Sequence, residues 1–231
     1  MGHETSALYN WLHGSLDAIF GPGFITDQIV MSWFLVLVCA IVFPLLSRSF
    51  SLYNPGKVQQ MLEIGVSSIN TMCDAFIGSN GRKYAAVMGP IACYILLANL
   101  LAFIPGFQPP TSDLNTTVAL GLISFLIYNF VGIRAQGVHY FKQFIGDSVF
   151  LMPLWFPIEI LSHLSRPISL SIRLFGNIFA EHTLAGVFFF LLPIGLPVLF
   201  APLGVFVSFM QTFVFVMLSM IYVAGALEHG H

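Results

Sequence analysis

Charge is nearly absent from this sequence. Asp, Glu, Lys and Arg make up only 8% of its 231 residues, against roughly 25% in an average soluble domain. That is too little to coat a water-exposed globule, which excludes a soluble enzyme and a disordered chain. The formal net charge of −2 supplies no basic field and excludes a nucleic-acid partner. Cysteine is scarce as well. Cys39, Cys73 and Cys93 are too scattered for a disulfide framework or a thiolate zinc site, and read as small apolar residues. The N-terminal segment has neither a basic start nor a long apolar run, so it is not read as a signal peptide. Its Leu8, Trp11, Leu12, Leu16, Ile19 and Phe20 recur at helical spacing, as expected of a short helix on a membrane surface.

Catalytic and cofactor motifs are missing too. Gly78 to Lys83 does not fit a phosphate-binding loop, so no direct nucleotide binding is expected. Glu181-His182 is in the wrong order for a zinc helix. His163 and His182 on one helix would lie about 28 Å apart, too far to share a metal. No cofactor and no metal are expected.

What is present is apolar: 57% of the residues are hydrophobic, with a mean hydropathy of +0.88. The expected fold is an all-α integral membrane protein, a single transmembrane domain over residues 1–231. About five helices should cross the bilayer, at 29–47, 84–104, 114–134, 150–192 and 197–228. Residues 1–28 form an interfacial segment. Residues 55–80, with Lys57, Glu63 and Asp74 among apolar neighbours, read as an amphipathic segment on the inner side. The Pro193 to Pro197 punctuation divides the last third into a long hairpin. Its first helix is too long to stand upright, so it must tilt, lie partly flat or kink at Pro167. Arg48, Lys57, Arg82, Lys83, Arg134 and Lys142 all fall on one expected side. The N-terminus is therefore expected outside and the C-terminus in the cytoplasm.

Charges at membrane depth cost about 2.5 to 3.5 kcal/mol each on insertion scales, so those in the fourth membrane helix carry the chemistry. Glu159, Arg166 and Arg173 are spaced seven apart, two helical turns, and share one face. Ser162, His163, Ser169, Asn177, Glu181 and His182 lie on or beside that stripe. Glu159 and Arg166 can pair if Pro167 bends the helix. Arg173 has no carboxylate three or four residues away, so its partner is expected on another chain. On the returning helix Gln211, Ser219 and Tyr222 form a sparser stripe beside Ser208 and Thr212. Counting from the turn, Asn177, Arg173 and Gln211 reach similar depth in an antiparallel pair. A secondary transporter with an anion or proton site at Arg173 is the competing reading. Such proteins usually carry internal repeats, and none is visible here.

The run SRPISLSIRLFGNIFAEHTLAGVF, Ser165 to Phe188, resembles the signature helix of the a subunit of F-type ATP synthase. FMQTFVFVMLSMIYVAGALEH, Phe209 to His229, is similar to that family's last helix, and LANLLAFIPGFQPPTSDLNTTVALGL, Leu97 to Leu122, to its middle two-helix region. The resemblance implies an ion-translocating stator subunit of the proton-transporting ATPase, with no catalysis of its own. Its partners would be the c-ring, the peripheral-stalk b subunits, the F1 sector through the complex, and membrane lipid. It implies a bacterial plasma membrane location, and Arg173 as the essential charge facing the ring carboxylate. Glu159 then matches an acidic position of the cytoplasmic half-channel, with His163 beside it. Asn177 and Gln211 match polar residues next to the arginine, and Asn99 a polar position in an earlier helix. Arg166, Ser169, Ser208 and Tyr222 are further candidates along the path. In the outer half-channel His182 stands at one family position and Glu181 just before it, while Gly204 occupies the position of their usual partner. Either Glu181 or His182 could relay protons there.

Overall fold

The structure, a computed structural model, describes residues 27–48, 50–51, 55–78, 81–103, 109–137, 140, 152–191 and 195–228. All regular elements among them are helical: α1 Asp27–Arg48, α2 Lys57–Ile77, α3 Arg82–Leu100, α4 Leu114–Gln136, α5 Met152–Leu191 and α6 Gly195–Glu228. A 3-10 turn, Leu101–Phe103, extends α3, and another, Pro110–Ser112, leads into α4. The expected N-terminal surface helix and the Pro193-Ile194 turn lie outside the described residues.

Among the described residues, four helices are long and apolar enough to cross a membrane: Gln28–Arg48, Arg82–Phe103, Leu114–Gln136 and Ala201–Leu227. About five are expected from the sequence. The difference is α5, whose 40 residues reach about 60 Å and carry Glu159, Arg166, Arg173 and Glu181. It packs against α4 and α6 as part of the same bundle. It runs as one helix through both Pro157 and Pro167. At the second proline, Ser171 Oγ donates to the Pro167 carbonyl at 2.7 Å.

Helix α1 is peripheral. Trp33 and Leu37 are exposed, as suits a lipid-facing surface, and Tyr94 of α3 donates its hydroxyl to Ser32 Oγ at 3.0 Å. Helix α2 is more polar. Gln59 exchanges hydrogen bonds with the Ser51 backbone and donates to Glu63, while Asp74 pairs with Arg82 at 2.9 Å to tie α2 to α3.

The bundle proper is α3 to α6. In a bilayer, lipid is as apolar as leucine, so close packing by small residues and interhelical hydrogen bonds hold helices together. The seam on α4 follows that rule: Thr117, Gly121, Ser124, Tyr128 and Gly132 recur at three- and four-residue spacing, all buried. Gly121 lies so close to α5 that a β-carbon would overlap Ser171 Oγ and the Pro167 carbonyl. Ser124 donates to Ser219 of α6 at 2.8 Å. One apolar cluster holds Ile95, Leu120, Leu170, Leu174 and Phe215. A second, nearer the ends of α2 and α6, includes Cys73, Met88, Tyr128, Val216, Met220 and Val223.

Candidate functional site

Packing sets which face of α5 looks outward. His163, Pro167, Leu170, Ser171, Leu174 and Ile178 form its buried stripe. Arg173 sits about 100° round the helix from Leu174 and is exposed, as is Ser169 one turn earlier. Around the arginine, Ile168, Ile172 and Phe179 are more than half exposed. Among the described residues no hydrogen bond or ion pair reaches Arg173. A guanidinium on an apolar, outward face of a membrane protein is stable only if something outside the chain answers its charge.

One turn further along, the Asn177 amide donates to Gln211 Oε1 at 2.5 Å, joining α5 to α6 across 34 residues of sequence. Gln211 is buried, and its Nε2 has no hydrogen-bond partner among the described residues. The Ser208 hydroxyl is likewise buried and unpartnered. Thr212 turns back to the Ser208 carbonyl at 2.9 Å, so it serves its own helix.

The next turn places the two outer candidates, Glu181 and His182, in different surroundings. Both Glu181 carboxylate oxygens are buried with no hydrogen-bond partner among the described residues. One lies over Gly204, where a β-carbon would overlap it and the Phe103 ring. His182 is exposed. Gly204, which at first reads as a missing partner, is the space that Glu181 fills.

At the opposite end of α5 the expected Glu159–Arg166 pair does not form. Glu159 Oε1 lies 3.3 Å from His163 Nε2, because four residues bring side chains closer on a helix than seven do. His163 is buried, and its Nδ1 lies 3.2 Å from the Tyr128 hydroxyl. Arg166 lies between two aromatic faces, 5.6 Å from the Tyr128 ring centroid and 5.2 Å from that of Tyr222. Such cation–π contacts hold a charge with little water.

Asn99 is fully buried and accepts a hydrogen bond from Thr111 at 2.9 Å. Its Nδ2 has no partner among the described residues. The polar residues of α5 are thus divided: Glu159, His163, Arg166, Asn177 and Glu181 turn into the bundle, whereas Arg173, Ser169 and His182 do not. Sequence reasoning missed Tyr128, Thr111 and Phe103. The period of small residues along α4 points to Tyr128; no comparable signal marks the other two.

The ATP synthase A chain family model matches residues 29–224. The chain belongs to the ATP synthase A chain family. It is 42% identical over 217 residues to ATP synthase subunit a 1 of Syntrophotalea carbinolica, covering 94% of this chain and 92% of that protein. ATP synthase subunit a of Geobacter sulfurreducens is 41% identical over 205 residues, 89% of each chain. ATP synthase subunit a 2 of Syntrophotalea carbinolica is 40% identical over 228 residues, 97% of each.

Proposed function

We propose that this chain is the stationary proton-path subunit of an F-type ATP synthase in a bacterial plasma membrane, providing two offset half-channels to a rotating c-ring. The observation that carries this reading is Arg173, exposed and without a partner among the described residues. Polar groups lie on either side of it along α5. Its missing partner is the carboxylate of the ring. The peripheral-stalk b subunits hold the chain still, and the F1 sector performs the ATP chemistry.

Along α5, Glu159 lies about 21 Å to one side of Arg173 and Glu181 about 12 Å to the other. With the N-terminus outside, Glu159 and His163 are inward, and Glu181, Asn177 and Gln211 outward. A proton enters past Glu181, whose oxygens lie inside the bundle, rather than His182. It passes the Asn177–Gln211 pair and neutralises a ring carboxylate. After nearly a full turn it leaves past His163 and Glu159. Two half-paths that never meet cannot conduct without rotation.

Magnitudes fit that role. Unit charges 4 Å apart at an effective dielectric near 20 attract by about 4 kcal/mol, which favours an ionised ring carboxylate about a thousandfold. A proton crossing 100 mV releases about 2.3 kcal/mol, comparable to that attraction, so the pair forms without becoming a trap. Arginine suits the task because a guanidinium keeps its proton.

The test is passive proton flux into vesicles, comparing this chain assembled with its ring and this chain alone. Flux is expected only from the assembly, and only until the ring carboxylate is chemically modified. Flux from the chain alone would identify a self-contained channel or transporter and overturn the proposal.

A further inference from the structure

The inward cluster is more complete than a pair of polar residues lining a path. Tyr128 of α4 is almost fully buried, and its hydroxyl reaches His163 Nδ1 while His163 Nε2 reaches Glu159. These three groups form one chain from the middle of the bundle to a carboxylate that is 23% exposed. An ionised Glu159 can only accept, so Nε2 carries the proton, Nδ1 is the acceptor, and the Tyr128 hydroxyl donates to it. The donor-to-acceptor direction therefore runs from Tyr128 through the imidazole to Glu159.

We propose that Tyr128 and His163 form a proton relay that feeds Glu159 at the inner half-path. The proposal rests on the rotary reading above. In one passage a proton arriving from the ring side binds the Tyr128 oxygen as that oxygen's own proton moves to His163 Nδ1. The Nε2 proton moves to the Glu159 carboxylate, which releases it to the inside. One proton enters, one leaves, and reversal of the imidazole tautomer resets the chain.

Arg166 is the positioning residue. Held between the Tyr128 and Tyr222 rings, it fixes the Tyr128 ring from one face. It also lies three residues from His163, on the same side of the helix. The groups around the imidazole include Tyr128 from α4 and Glu159 and Arg166 from its own helix, with Tyr222 of α6 on the far side of Arg166. Tyr140, which donates to Asn129 at 2.8 Å, packs in the same cluster as Tyr128.

The experiment is passive proton flux through the assembled membrane sector after removal of F1, measured across internal pH. Tyr128→Phe keeps the ring and its stack on Arg166 but removes the hydroxyl. Flux is expected to fall about a hundredfold, at the lower edge of what proton-transfer groups contribute, and the pH dependence of flux that His163 confers to vanish. His163→Gln should lose the same pH dependence, and the double variant should be no worse than either single one. Wild-type flux and pH profile in Tyr128→Phe, or multiplying losses in the double variant, would overturn the relay. If Tyr128→Phe fails to retain the c-ring, His163→Gln decides alone: wild-type flux and pH profile overturn the relay, and their loss supports it. Arg173→Ala measured in parallel separates the two levels. Coupled pumping that survives Arg173→Ala defeats the rotary reading, whereas its loss alongside a normal Tyr128→Phe defeats the relay only.

Discussion

Glu181 rests a carboxylate oxygen on the bare backbone of Gly204, beside the Phe103 ring. The two residues come from opposite arms of the α5–α6 hairpin, so the fit depends on the register of that hairpin. Gly204→Ala puts a methyl group where the oxygen and the ring already are. Overpacking of this kind costs about 1 to 3 kcal/mol, and the flexible glutamate is the group free to yield. The variant should still assemble, with a lower melting temperature and a marked loss of ATP-driven proton pumping. Unchanged pumping in Gly204→Ala would remove Glu181 from the outer path.

The Asn177–Gln211 hydrogen bond separates structural from functional cost. Interhelical hydrogen bonds in a bilayer contribute about 1 kcal/mol, so Gln211→Leu should lower thermal stability only by that order. Pumping should fall further than this loss explains, because the polar lining beside Arg173 is gone. Pumping that tracks stability alone would make the pair a packing contact. Thermal unfolding in detergent and dye-reported pumping in vesicles, measured on one preparation, give both numbers.

Cys73 lies on α2, outside the crossing helices, with no exposed surface. Burial, reinforced by the neighbouring Asp74 charge, pushes its thiol above the ordinary range. Only a thiolate attacks maleimide, so raising the pKa lowers reactivity at any fixed pH below it. Maleimide should label Cys73 slowly in intact membranes at pH 8, with the rate rising at a higher pH than for a free thiol. Mass spectrometry of the labelled chain checks this, and rapid labelling at pH 7 would contradict the packing of α2 against α3.

Much of this architecture is legible in the sequence, and the remainder has physical reasons for being hidden. Long apolar runs mark α1, α3, α4 and α6 because a bilayer-spanning helix must be almost uniformly apolar. Counting residues back and forward from the proline-rich turn brings Asn177 and Gln211 to one level, which is where they bond. The partner of Glu159 is not legible in the sequence because an interval of seven shows only a shared face. The Arg166 stack needs Tyr128 and Tyr222 from two other helices, whose rotation no single-helix pattern fixes. Gly204 is harder still, since an absent side chain has meaning only beside the group that occupies its space.

On the proposed function, Arg173 is the fixed charge that forces protons to travel with the ring. The most direct measurement is ATP-driven proton pumping by the assembled complex carrying Arg173→Ala, with ring retention verified. Pumping is expected to be abolished while the complex stays assembled, because nothing then holds the two half-paths apart. Pumping at the wild-type rate in that variant would contradict it.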